Sequence, residues 1–160
     1  MCSFVPLSEH NPTSSKTHID FVMNLHEYQG KEILQRYGVA IQTGIVAQSV
    51  AEAEAAWTQL GGGVVVIKAQ IHAGGRGKGG GVKLAKNLDD VKTHAGNIIG
   101  MMLRTPQTPG GMEGSGKLVR KVLIAEDSYA PDFNACKEYY VSILMDREKK
   151  CNVIIYSTEG

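Results

Sequence analysis

The alternation of apolar and polar positions divides this chain into short elements. The apolar run Val64–Ile67 ends in Lys68, a glycine-rich basic stretch follows to Gly81, and aliphatic residues resume at Val82 and Leu84. That pattern predicts a strand, a flexible basic loop and a second strand. Upstream, Leu25, Tyr28, Ile33, Leu34 and Tyr37 form an imperfect helical stripe between a capping Asn24 and a terminating Gly38. Thr43–Ala47 reads as a short strand. Ser49, with Glu52 three residues on, forms a capping box for an alanine-rich helix that ends at Leu60, before Gly61-Gly62-Gly63.

Downstream, Asn87 is placed to cap a helix over Leu88–Leu103, with Asp89 and Asp90 in its first turn. Val91, Ala95, Ile98, Ile99 and Met102 form its buried stripe, and Met101 and Met102 read as packing residues. Thr105–Lys117 is rich in Gly, Pro and Thr and reads as a surface loop. Leu118–Ala125 is a predicted strand leading into Glu126 and Asp127. A loop, Ser128–Cys136 with Pro131, precedes two strands, Lys137–Asp146 and Cys151–Tyr156, joined by the charged turn Arg147–Lys150.

Residues 1–22 show no period, no apolar core like that of a signal peptide and no arginine. They are expected to be a disordered or non-native leader, with Met23 as the natural start. The chain stops at Ser157–Gly160, directly after a strand, and reads as a truncation inside a larger fold.

Composition narrows the partners. The chain has 160 residues and a net charge of +1, so no global field draws it to nucleic acid or membrane. Any basic function must be local. Cys2, Cys136 and Cys151 make neither a metal pattern nor a disulfide framework, which favours a reducing, cytoplasmic location. No apolar stretch approaches the ~18–20 residues a membrane span requires.

The glycine loop carries the chemistry. Glycines let main-chain N–H groups approach an anion closely, and Lys68, Arg76 and Lys78 add positive charge. Phosphate is the natural ligand; a plain flexible hairpin connection is the alternative. A P-loop is absent because Gly79 follows Lys78. Gly75–Gly80 fits G-x-G-x-x-G, but the strand-like Val82-Lys83-Leu84 follows it, which argues against a dinucleotide fold. A nucleic-acid interface would need interleaved aromatics and a spread basic surface, and the loop has neither.

Three blocks together resemble one family. They are MNLHEYQGKEIL (Met23–Leu34), VIKAQIHAGGRGKGGGVKL (Val66–Leu84) and the run from Ile124 to Gly160 with its IAED, KEYYVSILMDR and STEG segments. The chain resembles the N-terminal part of the β subunit of succinyl-CoA synthetase (succinate–CoA ligase), in the ATP-grasp superfamily. The resemblance implies an α/β (α+β) fold, a mixed sheet with flanking helices. Residues 23–117 would form the N-terminal grasp subdomain and 118–160 the incomplete start of the second.

The implied reaction interconverts succinate, CoA and a nucleoside triphosphate with succinyl-CoA, the diphosphate and phosphate. The implied partners are ATP or GTP, Mg²⁺ bound by residues beyond this segment, and an α subunit that carries the relay histidine. The fragment alone is expected to lack full activity. By the same resemblance Lys68 is a phosphate lysine, Gly75, Arg76 and Gly77 belong to the phosphate loop, and Glu126 stands near the adenine or ribose. Tyr129 is a linker contact and Glu138 a nucleotide-site glutamate. His72 is assigned a structural or secondary role, and His26 and Tyr28 packing or subunit contact. A malate–CoA ligase β subunit shares these blocks, and nothing in the segment separates the two.

Overall fold

A computed structural model describes residues 24–129 and 132–158. The leader assigned to residues 1–22 lies outside the described residues, as does Pro131.

Helix α1 (Glu27–Arg36) is followed by strand β1 (Gly44–Ala47) and helix α2 (Val50–Gln59). Strands β2 (Val65–Ala69) and β3 (Val82–Ala85) flank the glycine loop. Helix α3 (Leu88–Ile98) leads to two short strands, β4 (Met102–Leu103) and β5 (Lys117–Leu118), and then to β6 (Val122–Glu126). Strands β7 (Tyr140–Asp146) and β8 (Cys151–Ser157) close the described chain.

The main sheet runs β1-β6-β2-β3, and every neighbouring pair is antiparallel. The expected layering of helices on a sheet is present, but the sheet is not mixed, because β6 inserts between β1 and β2. Val122–Glu126, which belongs to the expected second subdomain 118–160, is an inner strand of this sheet, with Val122, Leu123, Ile124 and Ala125 all buried.

Alternation along β2 sets the layers. Val65, Ile67 and Ala69 face the core, whereas Val66 and Lys68 are only partly covered on the opposite face. Helices α2 and α3 cover the core face through Ala53, Ala56, Val91, Ala95 and Ile98. Alanines at those positions let the helices sit close to the sheet. Each buried Val or Ile side chain there contributes roughly 1.5–3 kcal/mol. The predicted caps form: Ser49 Oγ accepts from Glu52 N at 3.2 Å, and Asn87 Oδ1 accepts from Asp90 N at 2.9 Å.

Two predicted helices change at their ends. Helix α3 stops at Ile98 rather than Leu103, because Ile99 turns extended and Gly100 takes φ +90°. Met102 then enters β4 and is exposed instead of lining the helix. Helix α1 begins two residues later than an Asn24 cap requires. His26 is its N-cap, and Gln29 Oε1 accepts from the His26 N–H at 2.9 Å. No residue of α1 is buried; Ile33 and Leu34 are exposed, and Tyr37 is 84% exposed.

The predicted Leu118–Ala125 strand is broken after Leu118 and resumes at Val122. Thr105–Lys117 is not wholly a surface loop, since Thr105 and Thr108 are buried. Thr108 Oγ1 donates to the Thr105 carbonyl at 2.9 Å and accepts from the Thr105 N–H at 3.0 Å, which satisfies these groups inside.

Candidate nucleotide-binding site

Position 68 has the wrong parity for the core. Lys68 therefore projects from the partly covered face of β2, where its ammonium meets α1. Its Nζ lies 3.2 Å from Glu27 Oε1 and donates to Gln42 Oε1 at 2.8 Å. Lys31, one helical turn after Glu27, reaches the same two acceptors at 3.2 and 2.9 Å. Arg76 comes in from the glycine loop. Its Nη2 pairs with Glu27 Oε2 at 2.7 Å, and its Nη1 donates to the Ala69 carbonyl at 2.7 Å. Three cations thus share one carboxylate, and each is about one-fifth exposed at its side chain.

Opposing influences set the ionisation. Burial alone would raise the Glu27 pKa, but the Arg76 hydrogen bond and the charges of Lys68, Arg76 and Lys31 outweigh it and hold the group at about 2. Burial pushes the Lys68 ammonium below its ordinary 10.5, helped by Lys31 and Arg76 and opposed by Glu27. The cluster is cation-rich and suits a further anion.

The loop itself is ordered by its own hydrogen bonds. Ala69 N donates to Gly81 O at 2.7 Å, Gly81 N to Arg76 O at 2.8 Å, and Lys78 N to Gly75 O at 3.1 Å. The amides of Gly75, Arg76 and Gly77 have no protein acceptor among the described residues. Gly75 takes φ +71°, the region where glycine is at no disadvantage. Other loop glycines answer to packing. A Cβ on Gly79 would fall 2.0 Å from the Arg104 carbonyl oxygen, and one on Gly81 2.5 Å from Leu103.

Two clefts meet at this cluster. One, of about 610 Å³, is lined by Glu27, His72, the Gly74–Gly77 segment and Gln107. The other, of about 590 Å³, is lined by Gln42, Val66, Lys68, Asp127, Tyr129 and Glu138, among others. Val82 borders both. The structure therefore brings Lys68, Tyr129 and Glu138 to one cleft, and Gly75, Arg76 and Gly77 to the adjoining one.

A hydrogen bond to Glu138 raises the Tyr129 phenol above its ordinary value, with burial and the charges of Glu138, Cys136 and Asp127 adding to it. Glu126 stands differently. Its carbonyl accepts from the Gln42 amide and its N–H donates to Thr43 O at 3.0 Å, but the residue lines neither cleft, and Asp127 lines the second.

His72 stacks on His26 with ring centroids 4.0 Å apart, and its carbonyl accepts from Lys117 Nζ at 2.7 Å. Burial, then the charges of His72, Lys121 and Arg76, lowers His26 from its ordinary 6.5. Among the described residues no three His, Cys, Asp or Glu side chains gather as a metal site.

Glu27, Lys31 and Gln42 were not singled out from the sequence. Glu27 and Lys31 sit in the first of the three family blocks, but no local pattern shows that α1 will lie against the loop.

The model for the ATP-grasp domain matches residues 24–160. The chain belongs to the ATP-grasp family. This ATP-grasp chain is 61% identical over 142 residues to the β subunit of ADP-forming succinate–CoA ligase from Flavobacterium johnsoniae, an alignment that takes in 86% of this chain and 35% of that subunit. The corresponding subunit of Cupriavidus pinatubonensis is 56% identical over 138 residues, covering 86% of this chain and 33% of its own length. The chain thus spans 35% or less of the curated relatives it matches here.

Among solved structures, the dinucleotide-forming acetyl-coenzyme A synthetase 1 of Ca. Korarchaeum cryptofilum, in complex with coenzyme A, Ca-AMPCP and HgCl⁺, is similar with a TM-score of 0.63. The match covers 84% of this chain and 53% of that one, at 20% identity, and it speaks for the fold alone.

Proposed function

We propose that this chain is the nucleotide-binding part of the β subunit of a succinate–CoA ligase. ATP or GTP would lie in the cleft between β2 and the segment 127–138, with its phosphates toward Lys68, Arg76 and the amides of Gly75–Gly77. The observation that carries the enzyme class is the 61% identity extending over 86% of the chain. The convergence on adjoining clefts of two cations and of loop amides unpaired among the described residues supports the nucleotide assignment.

Phosphoryl transfer needs mostly positioning and charge stabilisation, which these groups supply. Lys68 and Arg76 offset phosphate charge. Tyr129 and Glu138 belong to the base and ribose end; Glu126, which lines neither cleft, is placed near it by the resemblance alone. Magnesium, when bound with the nucleotide, neutralises phosphate oxygens. The described residues do not by themselves make a site for it, so the roles here belong to side chains and amides of the protein. In the complete enzyme an α subunit would supply the relay histidine, and a cytoplasmic location fits the assignment.

Titration with ATP and GTP tests the binding half. Saturable binding that weakens when Lys68 is replaced by Met supports it; no binding in the chain joined to the remaining two-thirds of a relative's β subunit overturns it. The same joined chain, paired with an α subunit, tests the reaction. Succinate- and CoA-dependent release of nucleoside diphosphate supports the assignment. Turnover with malate and not succinate replaces it with the malate ligase.

A further inference from the structure

Glu27 holds a place in the cluster that neither family resemblance nor composition assigns. Its two oxygens are divided: Oε2 takes the Arg76 guanidinium, and Oε1 takes the Lys68 and Lys31 ammoniums. Arg76 is thereby fixed from both sides, by Glu27 and by the Ala69 carbonyl. Lys68 is fixed by Glu27 and by Gln42, whose own amide is anchored on the Glu126 carbonyl. Three cations this close repel one another, and a single carboxylate between them is what lets them stand together.

We propose that Glu27 is the positioning residue of the polyphosphate site, holding Arg76 and Lys68 oriented where the nucleotide's phosphates arrive. The proposal rests on the nucleotide reading above. Glu27 acts through those two residues and lines the cleft beside the Gly74–Gly77 segment. Oriented cations cost less ordering on binding than free ones, so the carboxylate favours a ligand of its own sign at the neighbouring position.

The charged groups facing Lys68 give this a sign. From α1 come Glu27 and Lys31, and from the loop Arg76. Across its cleft stand Asp127, Tyr129, Lys137 and Glu138. Of the charges in contact with it, Glu27 favours the ammonium, together with the Gln42 hydrogen bond, while Lys31 and Arg76 disfavour it. Removing the Glu27 charge therefore moves the pH at which Lys68 loses its proton downward. Removing the Lys31 charge moves it upward.

The test uses the whole chain, joined to the remainder of a relative's β subunit, with ATP and adenosine as probes over a range of pH. The wild type is expected to bind ATP in preference to adenosine and to lose that preference as alkaline pH deprotonates Lys68. Glu27→Gln is expected to lose about tenfold in ATP affinity near neutrality, with adenosine little changed, and to shift the alkaline limb to lower pH. Glu27→Asp keeps the charge and is expected to restore part of both.

Lys31→Met leaves the Glu27, Arg76 and Lys68 contacts in place and is expected to shift the limb the other way, so the sign can be read even if Glu27→Gln folds poorly. ATP profiles unchanged in Lys31→Met and in folded Glu27→Gln overturn the inference and leave the nucleotide site standing. A wild type that does not distinguish ATP from adenosine overturns the nucleotide site, and this inference with it.

Discussion

Two neighbouring glycines with the same letter have different duties in the basic loop. Gly79 abuts the main chain just past β4, where a methyl group would fall 2.0 Å from the Arg104 carbonyl oxygen. Backbone cannot yield as a side-chain tip can, so Gly79→Ala is expected to destabilise by about 3 kcal/mol, at the upper end of ordinary overpacking. Gly77 has no atom within 4 Å of the added carbon and no positive φ. Gly77→Ala is expected to leave the urea midpoint nearly unchanged and to act, if anywhere, on phosphate affinity. Equal loss of stability in the two variants would show that the loop does not pack on 103–107 as described. Gly74 is intermediate, since the atom a methyl would meet is the end of the flexible Gln107 side chain.

At the scale of elements, α1 is exceptional because charge holds it where other helices are held by apolar burial. Its contacts include Glu27 with Arg76 and Lys68, Lys31 with Gln42, and Tyr28 under the Lys121 ammonium 5.5 Å from the ring. The Glu27 carboxylate lies at about 2, below its ordinary 4.5. A depressed carboxylate contributes stability that is complete above the unfolded value and is lost as pH falls toward the folded one. The α1 amides are therefore expected to lose their native chemical shifts between about pH 4.5 and 2, while the β2 and β6 amides keep theirs. In Glu27→Gln the early step should vanish, because there is no proton left to bind. Simultaneous loss in α1 and the sheet would contradict this account of the helix.

For the whole molecule, β7 and β8 pose a different question. They pair with each other from Tyr140↔Ser157 to Asp146↔Cys151 and form a two-stranded sheet of their own. Val141, Ile143, Met145, Ile154 and Tyr156 are each more than 60% exposed. Two strands alone are marginal in water, and this much open apolar surface favours association. Sedimentation velocity is expected to show concentration-dependent association of the 160-residue chain. Lysines at the facing pair Ile143 and Ile154 should reduce it without altering the four-stranded sheet. A chain that stays monomeric at high concentration would argue against exposure of that surface.

The residue order by itself determined most of the local elements and pointed to a kind of ligand. Parity put Lys68 on the opposite face from Val65 and Ile67, Ser49 and Asn87 announced two helix starts, and the glycine run with its cations pointed to phosphate. These are short-range effects, each written within a few residues. Tertiary structure decided what lies across large separations. It placed β6 between β1 and β2, ended α3 at Ile98 in favour of β4, and buried Thr105 and Thr108 beneath an apparent surface loop. It also set Glu27 against Arg76, 49 positions away in the chain. No periodicity encodes such a pairing, because an ion cluster is selected by which surfaces meet after the hydrophobic face of the sheet has been covered.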